Sequence, residues 1–139
     1  MYQEIASLPE GEIFSSYPEF TEPSENPLRF HGKIYVLIGS HTFSSAVSFA
    51  ATVKDYGIGT LVGEETGGLP TQFGDIYPFW LPNTNLPVGV SHKKFYRPSG
   101  IDDGRGVLPD IEVTTTLEDI LEGKDPVIEQ VLEIIKSKT

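Results

Sequence analysis

Lys33-Ile34-Tyr35-Val36-Leu37-Ile38-Gly39-Ser40-His41-Thr42-Phe43-Ser44-Ser45-Ala46 is the stretch on which the fold turns. Its first seven residues are apolar and β-branched almost throughout, the composition of a strand buried on both faces. Ser40, His41 and Thr42 make a polar turn. From about Ser44 to Tyr56 the pattern becomes helical, and Ala46, Val47, Phe49, Ala50 and Val53 share a broad apolar side. Gly57 stops the helix, because glycine takes up left-handed backbone just past a last turn without a Cβ clash. Thr60-Leu61-Val62-Gly63 follows as a second buried strand. Strand, helix and strand in that order form a crossover unit, which predicts a parallel sheet and an α/β fold.

Outward from this unit the chain is less regular. Residues 1–32 carry Pro9, Pro18, Pro23 and Pro27, and no periodicity persists, so they read as an irregular lead-in segment. Downstream, Glu64 to Pro70 form a loop. Gln72 to Leu81 and Val88 to Tyr96 predict two antiparallel strands joined across Pro82-Asn83-Thr84-Asn85, with Pro78 and Pro87 limiting the ladder. Ser99 to Arg105 is a loop rich in Gly and Asp, and Pro109 to Val113 a short edge strand. Thr116 caps a brief helix over Leu117 to Glu122. Asp125 caps a last one that starts with Pro126, whose Val127, Ile128, Val131, Leu132 and Ile135 form an apolar face.

The 139 residues suffice for one domain with a core, here 33–139. Ten basic residues against twenty acidic ones give a net charge of −10, which argues against nucleic acid or anionic lipid as a partner of a basic surface. No run approaches the apolar length of a membrane span, so no direct membrane insertion is expected of this segment, and no export signal is visible at Met1. With no cysteine, thiol catalysis and thiolate metal sites are excluded. His31, His41 and His92 lack metal-ligand spacing, so neither a metal nor a cofactor is expected.

Ser44 is the chemical focus. A serine at a helix start stands beside free backbone N–H groups and a partial positive charge, and the Ser45 amide is the donor placed to hold an oxyanion. Serine is also a preferred helix cap, and on local pattern alone both readings stand. The Gly-x-Ser-x-Gly frame of the α/β-hydrolases is absent.

Five blocks occur in order: Thr42-Phe43-Ser44-Ser45-Ala46, Lys54-Asp55-Tyr56-Gly57, Leu61-Val62-Gly63-Glu64-Glu65-Thr66-Gly67-Gly68, Phe95-Tyr96-Arg97-Pro98-Ser99-Gly100 and Gly106-Val107-Leu108-Pro109-Asp110-Ile111-Glu112-Val113. Together they resemble the C-terminal processing (tail-specific) serine peptidases and their tricorn-like and retinoid-binding-protein-like relatives. The resemblance implies a Clp-protease/crotonase-like fold of stacked β units with flanking helices, of which this chain corresponds to the C-terminal part. It puts the nucleophile at Ser44 and implies an acyl-enzyme on it. The lysine of the Ser–Lys branch is replaced by Leu69, so that dyad is contradicted here. The tricorn-like branch implies an upstream histidine as base and a supporting carboxylate at Asp103, with Asp102 its neighbour and competitor, although Asp-Asp-Gly is also ordinary turn chemistry. His41, in the turn, is read as making a local hydrogen bond. Gly67 and Gly68 would let an extended peptide approach the backbone.

Residues 1–32 hold nothing like the family's Asp-Leu-Arg strand or Gly-Gly turn, and no substrate-binding PDZ module is present. The expected partner is a peptide or unfolded protein, the oligomeric state stays open, and the bacterial cell envelope or periplasm is implied by the resemblance alone. The piece by itself is expected to be inactive. Two other readings remain: a peptide- or ligand-binding module that kept the fold, and a structural domain in which Ser44 only caps a helix.

Overall fold

Three short parallel strands and the helix that crosses between two of them hold the centre of the computed structural model, which describes residues 7–17 and 19–137. Strand β1 (Tyr35–Ile38), helix α1 (Ser45–Asp55) and strand β2 (Thr60–Gly63) realise the crossover unit. β1 and β2 run parallel, from Tyr35 opposite Thr60 to Ile38 opposite Gly63. The two-residue strand β5 (Ile111–Glu112) lies on the other side of β2, giving the order β1-β2-β5. Gly63 is obligatory at this seam: its φ is 124°, and a Cβ there would stand 2.1 Å from the Ile38 carbonyl oxygen.

The core sits between α1 and this sheet. Val47, Ala50, Ala51 and Val53 of the helix pack with Ile38, Leu61 and Val107, and Val36 flanks them. Burying each such valine or leucine is worth about 1.5–3 kcal/mol. Ala50 and Ala51 keep the helix close to the sheet. Ala46 and Phe49, expected on the same apolar side, are instead exposed. β1 is likewise not buried on both faces, since Leu37 is 44% exposed. One face of β1 meets α1, while the other is only partly covered by the C-terminal helix.

Strands β3 (Gln72–Trp80) and β4 (Pro87–Phe95) form a separate antiparallel ribbon, running from Gln72 opposite Phe95 to Trp80 opposite Pro87. Pairing is interrupted at Asp75, whose φ is 57°. Helix α2 (Leu117–Glu122) begins with a capping box, in which the Thr116 hydroxyl accepts from the Asp119 amide and the Asp119 carboxylate accepts from that of Thr116. Helix α3 (Pro126–Lys136) is capped by Asp125, which accepts from the Val127 and Ile128 amides, with Pro126 in its first turn. α3 packs on β1 and β2 through half-buried Val127, Val131 and Ile134. Ile128 and Leu132, expected on its inward face, point to solvent.

The chain divides into two units, Met1–His31 and Gly32–Thr139. The described residues of the first hold turns but neither helix nor strand.

Candidate active site

The end of α1 ties the sequence blocks together. Lys54 Nζ donates to the Leu108 carbonyl at 2.9 Å and to Asp110 Oδ1 at 2.7 Å, while Asp110 Oδ2 accepts from the Leu61 amide at 2.8 Å. Burial pushes the Asp110 carboxyl up, but Lys54 and the Leu61 amide outweigh it and hold the group below its ordinary 3.8. Next along the helix, Asp55 takes a two-pronged bond from Arg97 Nε and Nη2, at 3.0–3.1 Å and 2.7 Å, and a third from the Ser99 amide. The Arg97 guanidinium holds the Asp55 carboxyl below its ordinary 3.8 against the opposing effect of burial. Consecutive residues of one helix thus fix the Arg-Pro-Ser-Gly and Gly-Val-Leu-Pro-Asp blocks.

A second set of bonds closes the loop beside the turn that leads into α1. The Thr66 hydroxyl is buried, donates to the Gly68 carbonyl at 2.9 Å and accepts from the Val107 amide at 2.8 Å. Arg105 donates to Glu65, which also accepts from the Gly106 amide at 2.8 Å. The Arg105 bond holds the Glu65 carboxyl below its ordinary 4.5, against a smaller upward push from burial. Gly106 has no room for a side chain, since a Cβ would stand 2.1 Å from the Thr66 carbonyl oxygen.

Ser44 stands at the Ncap of α1 with φ 54° and ψ −124°, and its hydroxyl makes no capping bond. The capping reading therefore has no hydrogen bond behind it. A non-glycine residue held at such angles stores about 1–3 kcal/mol of strain and persists only where its surroundings impose it. The strain turns a strand into a helix across a tight corner, the backbone device that exposes a serine hydroxyl in a nucleophile elbow even though the glycines of that motif are missing. Ser44 is exposed. The turn before it is locked by Thr42, whose amide donates to the Gly39 carbonyl at 2.8 Å and whose hydroxyl accepts from the Gly39 amide at 3.0 Å.

Ser45 is the first residue of α1, and among the described residues its amide has no acceptor. The next amide, that of Ala46, is engaged by the Phe43 carbonyl at 3.1 Å. An available N–H beside an exposed hydroxyl is the arrangement that stabilises a developing oxyanion. Gly67 and Gly68 lie against the same turn. The Gly68 amide donates to the Thr42 carbonyl at 3.0 Å, and a Cβ on Gly67 would meet the Ser40 carbonyl oxygen at 2.0 Å and the Phe43 ring at 2.8 Å. Their role in this fold is close packing on the turn that leads into Ser44.

Gln72, which nothing in the sequence singled out, braces the turn from β3. Its amide donates to the Ser44 carbonyl at 3.0 Å and to the Ser48 hydroxyl at 3.2 Å. The only hint in the sequence is a polar residue at the opening of a strand rich in aromatic residues.

None of the expected partners of Ser44 is bonded to its hydroxyl. Asp103 accepts from the Arg105 amide at 3.1 Å within its own loop, and Asp102 lies 3.9 Å from Lys94 Nζ. His41 Nδ1 is 3.4 Å from the Ser40 hydroxyl, a local contact. Among the described residues no histidine, lysine or carboxylate bonds the Ser44 hydroxyl. A groove of about 480 Å³ beside the turn, lined by Leu37, Gly39, His41, Ile120 and Lys124 among others, does not include Ser44.

A family model described as peptidase family S41 matches residues 7–113. Among solved structures the chain is similar to the tricorn protease, with 25% identity and a TM-score of 0.60 over 99% of this chain and 13% of that one. It is also similar to a protein from Parabacteroides merdae described as a candidate peptidase, with 26% identity and a TM-score of 0.59 over 76% of this chain and 32% of that one. The chain thus spans about a third of the length of one and about an eighth of the other. No curated protein matches it.

Proposed function

Because the chain belongs to peptidase family S41, we propose that it carries the nucleophile of a serine-type peptidase, with Ser44 Oγ as the attacking atom. The carrying observation is the exposed Ser44 at φ 54°, with the unengaged Ser45 amide beside it. In this reading a histidine from an upstream segment takes the Ser44 proton as Oγ bonds to the substrate carbonyl carbon, and the Ser45 amide holds the oxyanion. The C–N bond then breaks, the histidine gives its proton to the leaving amine, and water hydrolyses the acyl-enzyme. Asp103 or Asp102 would help orient the base. The substrate is a peptide or unfolded protein, with Gly67 and Gly68 offering backbone to an extended segment. The chain is then the C-terminal part, with lead-in 1–32 and body 33–139, of a Clp/crotonase-like catalytic domain working in a bacterial envelope, and alone it turns over little or nothing.

The test is fluorophosphonate labelling followed by mass spectrometry, on this chain and on the full-length gene product, with Ser44→Ala as control. Labelling of Ser44 in the full-length protein, with no peptide turnover by this chain alone, is the expected result. Labelling at another serine, or at none in either protein, overturns the nucleophile assignment. Turnover by the chain alone overturns the assignment of the base to another segment.

A second reading, a peptide-binding module without chemistry, is favoured by Leu69 at the position where the resemblance expects lysine. It predicts peptide binding with no Ser44 adduct in the full-length protein.

A further inference from the structure

The loop that packs on the turn before Ser44 opens with two glutamates, and they differ. Glu65 accepts bonds from Arg105 and from the Gly106 amide. Glu64 is half-buried and its amide donates to the Ile38 carbonyl at 3.1 Å, but among the described residues its carboxylate has neither a hydrogen bond nor an ion pair. A carboxylate partly withdrawn from water gains from a cation brought to it.

Glu64 lines the groove of about 480 Å³ beside that turn, a volume in the range of small-ligand clefts. The other charged or titratable groups of the lining are already engaged. Lys124 pairs with Glu122, Asp125 caps α3 through the Val127 and Ile128 amides, and His41 Nδ1 lies 3.4 Å from the Ser40 hydroxyl. Leu37 and Ile120, 44% and 63% exposed, line the same groove. Apolar walls beside one free carboxylate match a long side chain that ends in a cation. The methylene stem of lysine or arginine packs on apolar surface while its head takes the carboxylate. A metal ion fits less well: hard cations take six or more oxygen ligands, and among the described residues no group of three His, Cys, Asp or Glu side chains could hold one.

The place of the groove supplies the rest. Glu64 directly follows β2, and the lining continues through Gly39, Ser40, His41 and Thr42, which lead into Ser44. A peptide whose carbonyl sits on Ser44 passes this groove within a few residues of the bond to be cut. The net charge of −10 draws cationic peptides towards the chain from a distance. Resting on the peptidase reading above, we propose that Glu64 receives a lysine or arginine side chain of the peptide substrate, near the scissile bond. Glu64 is then a specificity-determining residue and takes no part in the proton transfers at Ser44.

Binding separates this assignment from the chemistry. The probe is acetyl-Ala-Ala-Lys-Ala-Ala-amide, titrated at low salt into the isotope-labelled chain beside the same peptide with norleucine, an uncharged analogue, in place of lysine. The lysine peptide should bind about tenfold more tightly and shift the amide resonances of Ser40, His41 and Glu64, and Glu64→Gln should erase the difference. Equal binding of the two peptides, or a lysine preference that survives in Glu64→Gln, overturns the proposal. So does a full-length protein in which neither peptide moves these resonances, since another segment of that protein then fills the groove. Fluorophosphonate labelling of Ser44 tests the nucleophile separately. Labelled Ser44 without a lysine preference removes the Glu64 assignment alone, whereas an unlabelled Ser44 with the preference intact removes the nucleophile alone.

Discussion

Replacing Ser44 separates a strained elbow from a helix cap by stability alone. If the hydroxyl capped α1, Ser44→Ala would cost about 1 kcal/mol, and Ser44→Gly only a few tenths. The structure predicts another pattern. No capping bond exists to be lost and the side chain is exposed, so Ser44→Ala should change stability by less than about 0.5 kcal/mol. Alanine keeps the Cβ and with it the strain at φ 54°. Glycine removes that strain, about 1–3 kcal/mol, and loses about 0.5–1 kcal/mol through the greater freedom of the unfolded chain. Ser44→Gly should therefore be more stable than wild type by about 1 kcal/mol. Urea unfolding with the slope held in common reads these differences directly. A loss of about 1 kcal/mol in the alanine variant, with glycine no better than wild type, would refute the elbow and restore the cap.

Asp55→Asn should destabilise by about 3–5 kcal/mol, because it leaves Arg97, whose side chain is 9% exposed, without its counter-charge. The Asp55 carboxyl is depressed, so its contribution is full above the unfolded value near 3.8 and is lost as pH falls through the folded one. The wild-type urea midpoint should fall below about pH 5, and the variant should show less of that fall. Gly106→Ala should cost about 1–3 kcal/mol by forcing the loop away from Thr66, read as a lower thermal midpoint. Gln72→Ala should lose about 1 kcal/mol through its bonds to Ser44 and Ser48, read by the same denaturation.

The crossover unit was legible because its signals are local: an apolar run, a helical period, then Gly57 and a second run. Thr116 and Asp125 were legible as caps for the same reason. The order of the five blocks was readable without its cause, which is that Lys54, Asp55 and Thr66 bond across more than forty residues of chain to Asp110, Arg97 and Val107. Long-range bonds of this kind leave no periodicity. Ser44 looked like a cap because cap and elbow share residue type and position, and only the backbone angles separate them. Gln72 was invisible because it acts on a main-chain carbonyl in another element. The exposed Leu37, Phe49 and Ile128 were read as core because periodicity marks an apolar face without saying what covers it.

The most direct test of the strained presentation of Ser44 is the backbone geometry in solution. A positive φ brings the amide proton and Hα of one residue close together, which gives a strong intraresidue cross-peak in nuclear Overhauser spectra of labelled protein. A strong cross-peak at Ser44, with a Ser45 amide that exchanges freely with water, is the predicted result. A weak cross-peak, typical of extended or right-handed backbone, together with a protected amide at Ala46 or Val47 that loses its protection in Ser44→Ala, would contradict it.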